Sequence, residues 1–211
     1  MNLPVVVGID RAGLVGDDGD THQGVFDISM LRSIPNLILS QPHDAKEAQN
    51  LLYTAFVSQK PFCIRYPRGN VHYDKVDQYE LIPIGSWTRY DIGDKPICIV
   101  ISYGYDVDNV IHKAKENNIS MIVINARFFK PIDTIMINEL CSYDLPIYVY
   151  ETDCKIGSLS SAILEYINTQ KHILNTIGIE DHFVNHGSIR TLRIQEHIDT
   201  QSLFKEIIEN D

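Results

Sequence analysis

Short β-branched runs alternate along this chain with stretches in which apolar residues recur every three or four positions, the pattern of parallel strands joined by crossover helices. Apolar runs predict strands at residues 4–9, 36–42 and 61–67, the last two closed by Pro42 and Pro67. "FDISMLRSIP" predicts a short helix between the first two. The clearest helix follows Asp44. Asp44 and Glu47 have capping-box spacing, and Ala45, Ala48, Leu51, Leu52, Ala55 and Phe56 recur as one apolar stripe.

From residue 69 to about 78 the apolar pattern stops in a polar stretch with Gly69 and Asn70, so a domain boundary is expected there. Residues 81–102 then read as a hairpin with its turn at 91–95, delivering an edge strand and a central strand. Alternation resumes beyond it. Val107, Val110, Ile111 and Ala114 mark a helix, 120–126 a strand, 133–141 a helix and 146–151 a strand. Leu159, Ala162, Ile163, Tyr166 and Ile167 mark another helix, 172–179 another strand, and Leu203, Phe204, Ile207 and Ile208 a closing helix.

The expected fold is therefore α/β in two units. Residues 1–70 form a partial parallel-sheet unit, 71–95 a linker and edge hairpin, and 96–211 a complete α/β domain with a mostly parallel sheet and an antiparallel edge strand. Three strands and two helices cover too little of a parallel sheet, which needs both faces buried. The first unit is thus expected to lack sequence on its N-terminal side, leaving the strand at 4–9 exposed or covered by a second copy.

At 211 residues and 44% hydrophobic, the chain can hold two small cores, and its formal net charge of -10 argues against nucleic acid or an anionic membrane as partner. No apolar run reaches membrane-spanning length and no signal-peptide pattern opens the chain, so a cytoplasmic protein is expected. Cys63, Cys98, Cys141 and Cys154 have neither CxxC nor metal-ligand spacing, which points to buried thiols.

Ligands of open α/β sheets bind beyond the carboxyl ends of the strands. Two polar constellations stand there: "DRAGLVGDDGDTHQG" at 10–24 and "RYPRG" at 65–69. Gly13, Gly16 and Gly19 are spaced by three, so the first is not GxGxxG, and it lacks the Lys-Ser/Thr ending of a P-loop. Asp17, Asp18 and Asp20 would repel a cradled phosphate, and the EF-hand glycine and glutamate are misplaced. A mixed site remains. Arginine offers a fork of donors to an anion, aspartate accepts from hydroxyls, and histidine donates, accepts or carries a proton. Arg11, the loop through His22, and Arg68 could converge on one phosphorylated sugar or hydroxy-aldehyde. The competing reading is a purely structural loop, since Asp, Gly and Thr are ordinary turn residues, with Arg11 and Arg68 in surface ion pairs. Arg65 is expected to be a surface ion-pair partner, His186 a loop residue before a helix, and Cys154, beside Glu151, a weak nucleophile. His112, His172 and His197 read as surface residues.

"DRAGLVGDDGDTHQGVFDISMLRSIPNLILSQPHD" followed by "RYPRG" resembles the 1-deoxy-D-xylulose-5-phosphate synthases, thiamine diphosphate enzymes of the transketolase superfamily. The resemblance continues through "IPIG", "ARFFKPID", "VYETD" and "GIEDHFVNHGS". It implies that residues 1 to about 70 are the second half of a pyrimidine-binding domain and the rest a transketolase C-terminal domain. The implied activity condenses pyruvate, with decarboxylation, and glyceraldehyde 3-phosphate to 1-deoxyxylulose 5-phosphate, toward isoprenoid and thiamine synthesis. By the same carry-over His22 is the active-site histidine, Arg11 and Arg68 hold the aldehyde's phosphate, and Asp18 contacts its polar groups. Thiamine diphosphate and Mg²⁺ serve the full-length enzyme, implied to be a homodimer. "GDDGD" is not the diphosphate motif, and the glutamate that activates the cofactor belongs to preceding sequence. None is expected bound to this chain alone, which needs a separate N-terminal cofactor domain and is expected to be inactive without it. After Glu151 the family shows a glycine-rich segment, where this chain has only Gly157. The alternatives are another thiamine diphosphate enzyme, such as a transketolase or an α-keto acid dehydrogenase β-subunit, and a non-catalytic binding module.

Overall fold

The computed structural model describes residues 2–71, 73, 77–167 and 174–210. Its first sheet holds β1 (Val6–Ile9), β2 (Ile38–Ser40) and β3 (Phe62–Arg65), with α1 (Asp27–Leu31) and α2 (Ala45–Ser58) as connections. The strand order is β1-β3-β2, all parallel, and an antiparallel fourth strand, β7 (Phe128–Lys130), closes it beside β2. Sequence reading misses β7, because three residues are too short to show alternation. Its consequence is large: the second half of the chain supplies a strand to the sheet of the first.

The second sheet has β4 (Thr88–Ile92), β5 (Cys98–Ser102), β6 (Met121–Asn125), β8 (Ile147–Cys154) and β9 (Leu174–Ile179) in the order β4-β6-β5-β8-β9. The connections are α3 (Asp106–Glu116), α4 (Thr134–Leu140) and α5 (Leu159–Ile167), followed by α6 (Ile189–Gln195) and α7 (Thr200–Glu209). The edge hairpin expected within 71–95 is corrected. β4 is an antiparallel edge strand, but it pairs with β6 rather than with β5, its neighbour in sequence. The reason is burial. β5 is buried at all five positions and takes parallel partners on both sides, whereas Arg89 and Asp91 suit β4 to an edge. Of the strand expected at 172–179, His172 and Ile173 lie outside the described residues.

One apolar core runs through both halves, joining Leu39, Phe62 and Ile64 of the first sheet to Ile99, Ile122 and Phe128. A second, built on Val100, Val123 and Tyr148 with Val107 and Leu203, packs the other face of the second sheet. The first sheet is less well covered: Leu3, Val5 and Val7 are exposed along its β1 edge. The apolar stripe of α2 is also corrected. Leu51 and Ala55 are buried, but Leu52 and Phe56 face outward. The helix begins as its cap predicts, with Asp44 accepting from the Glu47 amide at 2.6 Å. Glu47 returns the bond to the His43 amide at 2.8 Å, one residue before the cap.

Arg65 corrects the expectation of a surface ion pair most sharply: its side chain is wholly buried. At the end of β3 it donates to both carboxylate oxygens of Asp153 (2.6 and 3.3 Å), to Asp27 (3.3 Å), to Gln41 (3.1 Å) and to the Gly24 carbonyl (2.9 Å). Tyr103 donates to Asp153 at 2.6 Å, and the guanidinium lies 5.7 Å from the Phe129 ring centre. Strand alternation does place Arg65 on the Cys63 side of the sheet. That side is occupied by β8 and its carboxylate, which a reading of one strand cannot foresee. Burial works against the charged guanidinium, but Asp153 and Asp27 outweigh it and keep the group charged. Burial in turn pushes the Asp27 carboxyl up.

His43 makes a second, lighter clasp. Its Nδ1 lies 3.3 Å from Asp108 of α3 and its Nε2 3.5 Å from Asp44, with the ring edge-on to Tyr90 of β4. Burial works against its charged form, yet the Asp108 bond and the Glu47 and Asp44 charges raise the pKa above the ordinary histidine value.

Two outcomes follow. Removing one partner of a buried ion pair leaves the other uncompensated, so Arg65→Met or Asp153→Asn should each cost about 3–5 kcal/mol in urea unfolding, and the double variant less than the sum. A raised folded-state pKa means that the His43 contribution is complete below its ordinary pKa of 6.5 and is lost as pH rises through the raised value. His43→Gln should therefore destabilise at pH 5.5 and progressively less toward pH 8, as followed by thermal melts across that range.

Candidate functional site

β1 and β3 are parallel, so residues 10–24 and 65–69 leave the same edge of the first sheet. The two segments are tied at once, by the Ala12 amide donating to the Tyr66 carbonyl at 3.0 Å. The loop then closes on itself. Gly13 and Gly24 exchange amide-to-carbonyl bonds of 2.8 and 2.9 Å, pinning both ends of residues 14–23. Only glycine fits at 24, because a Cβ there would stand 2.1 Å from the Arg11 carbonyl oxygen. Arg11 itself has φ 59°, the left-handed region that a non-glycine residue occupies at a cost.

The loop is also fastened to the second half of the chain. Gln23 accepts from the Val15 amide at 2.8 Å and donates to the Asn185 carbonyl at 3.2 Å. The Gly187 amide donates to Gly16, where a Cβ would meet the Gly187 carbonyl at 3.0 Å. His186 precedes α6, as expected of a loop residue, and its Cβ lies 3.7 Å from where a side chain at Gly19 would begin. Together with the Arg65 bond to Gly24, four ties hold this polar loop over the junction of the two sheets.

The predicted residues fall as follows. Asp18 stands between the two arginines: it accepts from Arg68 Nη1 at 3.1 Å and lies 3.6 Å from Arg11 Nε. Arg11 also donates to Asp10 at 2.9 Å. Arg11 and Arg68 are exposed, with side-chain exposures of 47% and 57%. The structure thus brings Arg11, Asp18 and Arg68 together. His22 is exposed on the same loop, and its Nδ1 pairs with Thr21 Oγ1 at 2.9 Å rather than with any of the three. A cavity of about 20 Å³ lies behind Arg68, bordered by Gly13, Gln41, Thr152 and Arg193, room for one water. A wider cleft of about 630 Å³ runs along α6 and α7, and none of the predicted residues lines it.

What sequence reading misses is the support: Arg65, Gln23 and the 185–187 segment. Gln23, a polar residue buried between a histidine and a glycine, is the one with a local signal. His112 and His197 are exposed, and His172 lies outside the described residues. All four cysteines are thiols. Burial pushes those of Cys63 and Cys154 up, which makes Cys154 a poor nucleophile. Glu151 is buried at the N-terminus of α5, accepting from Ser158 Oγ and the Leu159 and Ser160 amides at 2.6–2.9 Å; burial pushes its carboxyl up to about 7. The glycine-poor segment that follows is held instead by hydroxyls, with Ser161 accepting from the Gly157 amide and Ser29 donating to the Ile156 carbonyl.

Asp18 is committed to two guanidinium groups, and no three His, Cys, Asp or Glu side chains among the described residues are grouped to hold a metal ion. The described residues therefore show no grouping that fits the Mg²⁺–diphosphate end of the thiamine diphosphate implied by the resemblance. No helix among the described residues is long and apolar enough to cross a membrane.

Comparisons with known proteins agree with the two halves seen here. Residues 1–73 match the family described as transketolase, pyrimidine binding domain, and residues 92–201 the family described as transketolase, C-terminal domain. The chain is 39% identical over 213 residues to the 1-deoxy-D-xylulose-5-phosphate synthase of Aquifex aeolicus, covering 98% of this chain and 33% of that protein. It is 37% identical over 216 residues to the Bacillus cereus synthase, covering 98% of this chain and 34% of that protein. The chain therefore spans about a third of the curated relatives' length. A solved structure titled split gene transketolase, inactive beta4 tetramer, superposes with a TM-score of 0.81 at 20% identity, over 99% of this chain and 67% of that one, and shares its fold. The chain belongs to the transketolase family, with 1-deoxy-D-xylulose-5-phosphate synthases among its relatives.

Proposed function

We propose that this chain is the substrate-holding portion of a 1-deoxy-D-xylulose-5-phosphate synthase, acting together with the cofactor-binding portion found in the rest of its relatives' length. The observation that carries the reading is the meeting of Arg11 and Arg68 on Asp18 at the carboxyl edge of β1 and β3. Two exposed guanidinium forks that meet on one carboxylate suit the three oxygens of a phosphate. Asp18 holds both guanidinium groups and can accept from a hydroxyl next to the phosphate. His22, on the same loop, holds or donates a proton at the aldehyde oxygen.

Thiamine diphosphate supplies the chemistry that activates pyruvate, and its binding belongs to the part of the relatives that this chain does not span. The residues of this chain bind and orient glyceraldehyde 3-phosphate and handle its proton. The assembled enzyme in this reading is a cytoplasmic homodimer of joined units.

The test is reconstitution: the chain and the complementary polypeptide, made separately, are mixed with pyruvate, glyceraldehyde 3-phosphate, thiamine diphosphate and Mg²⁺. Formation of 1-deoxyxylulose 5-phosphate is expected. A folded mixture and a joined chain that are both inactive would sink the reading, and turnover with a ketose phosphate in place of pyruvate would assign a transketolase reaction instead. In the active assembly, Arg11→Met and Arg68→Met should each raise the KM for glyceraldehyde 3-phosphate by about 10- to 100-fold, the worth of a charge-assisted hydrogen bond. His22→Asn should instead lower kcat by on the order of 100-fold with a smaller change in KM.

A further inference from the structure

The turn from β5 into α3 puts an aromatic side chain where a helix cap is expected. Gly104 has φ 61°, and a Cβ there would stand 2.5 Å from Gln41 Nε2, so the chain turns sharply as it leaves β5. The next residue, Tyr105, is the N-cap of α3 but makes no side-chain capping bond, whereas Asp44, Asp133, Ser188 and Asp199 each cap their own helix. Its side chain lies elsewhere. Tyr105 borders the water-sized cavity behind Arg68, together with Pro67 and Gly13 of the candidate site. A cavity of about 20 Å³ is small enough that the residues on its walls are near neighbours. A side chain of the second half therefore stands beside Arg68.

The phenol has only one of its hydrogen-bonding roles filled. Tyr105 Oη accepts from Arg193 Nη1 at 2.8 Å, and that guanidinium lies 5.4 Å from the centre of the same ring. Arg193 is held in turn by Asp106 at 2.5 Å, by Tyr150 Oη at 3.0 Å and by the Ile198 carbonyl at 3.3 Å. A guanidinium accepts nothing, so the phenolic proton has to be donated in another direction, and it finds no acceptor among the described residues. Burial, with the Asp106 charge, pushes the Tyr105 pKa up to about 12, so the proton is present at neutral pH. The residue is 41% exposed, which leaves it open to a ligand.

We propose that Tyr105 is a further binding residue for the anion that Arg68 holds, donating its phenolic proton to a phosphate oxygen from the C-terminal half of the chain. The inference rests on the proposed function, in which that anion is the phosphate of a hydroxy-aldehyde. Arg11 and Arg68 attract any anion. A neutral donor whose direction is fixed by Arg193 favours the one oxygen placed to accept from it, and its fixing lowers the ordering cost of binding.

The probes are inorganic phosphate and glycerol 3-phosphate, titrated into this chain and followed by the amide NMR shifts of residues 10–24 and 65–69. Tyr105→Phe is compared with Arg68→Met and with Tyr150→Phe, which takes another hydroxyl from Arg193 but does not border the cavity. Tyr105→Phe keeps the ring, and urea midpoints check that each variant folds. Wild type and Tyr150→Phe should bind both probes alike. Tyr105→Phe should weaken both by about 10-fold, the loss of one hydrogen bond to a charged group, and Arg68→Met by at least as much. Unchanged binding by Tyr105→Phe beside weakening by Arg68→Met would overturn the role of Tyr105 and leave the proposed function standing. Equal weakening by Tyr105→Phe and Tyr150→Phe would show that the phenol acts only by holding Arg193, and would overturn the contact. Wild type that binds neither probe, or binding undiminished by Arg68→Met, would overturn both readings.

Discussion

A single buried guanidinium joins the parts of this protein that have to act together. Arg65 ends β3, pairs with Asp153 on β8, and donates to the carbonyl of Gly24 where the polar loop returns to the sheet. Strand, opposite sheet and loop therefore share one charge. A charge so deep is costly unless every donor is answered, and here two carboxylates, an amide oxygen and a carbonyl answer it. The antiparallel β7 and the common apolar core bring the sheets together. Arg65 sets how the loop sits on their junction.

The arrangement at the loop follows from that anchoring. Closed by Gly13 and Gly24 and fastened at Gly16 and Gln23 to residues 185–187, the loop has little freedom left in its backbone. Asp18 can then hold two arginines that approach from different strand ends. An anion entering such a site meets cations already placed, which lowers the ordering cost of binding. The support comes from both halves of the chain, so the C-terminal half takes part in shaping a site whose predicted side chains all lie in the N-terminal half.

Much of this was legible in the sequence because it is local. The strand runs, the Asp44 cap, the α2 helix and the positions of Arg11, Asp18, His22 and Arg68 at strand ends depend on neighbours a few residues away. The failures are long-range. β4 lies beside β6 and not β5, because the demand of β5 for buried partners on both sides outranks sequence adjacency. Arg65 is buried because β8 happens to pass over it. Leu52 and Phe56 fit a helical period as well as Leu51 and Ala55 do, and periodicity cannot tell which of two apolar faces a domain will cover. The resemblance to the synthases named candidate site residues; the geometry added how their loop is held.

The most direct measurement is a structure of this chain together with the cofactor-binding portion of its relatives, soaked with glyceraldehyde 3-phosphate. The phosphate should lie within hydrogen-bonding distance of both the Arg11 and Arg68 guanidinium groups, with Arg65 still on Asp153 and Gly24. A phosphate bound elsewhere, with Arg11 and Arg68 still turned to Asp18, would contradict the assignment of this loop as the phosphate wall.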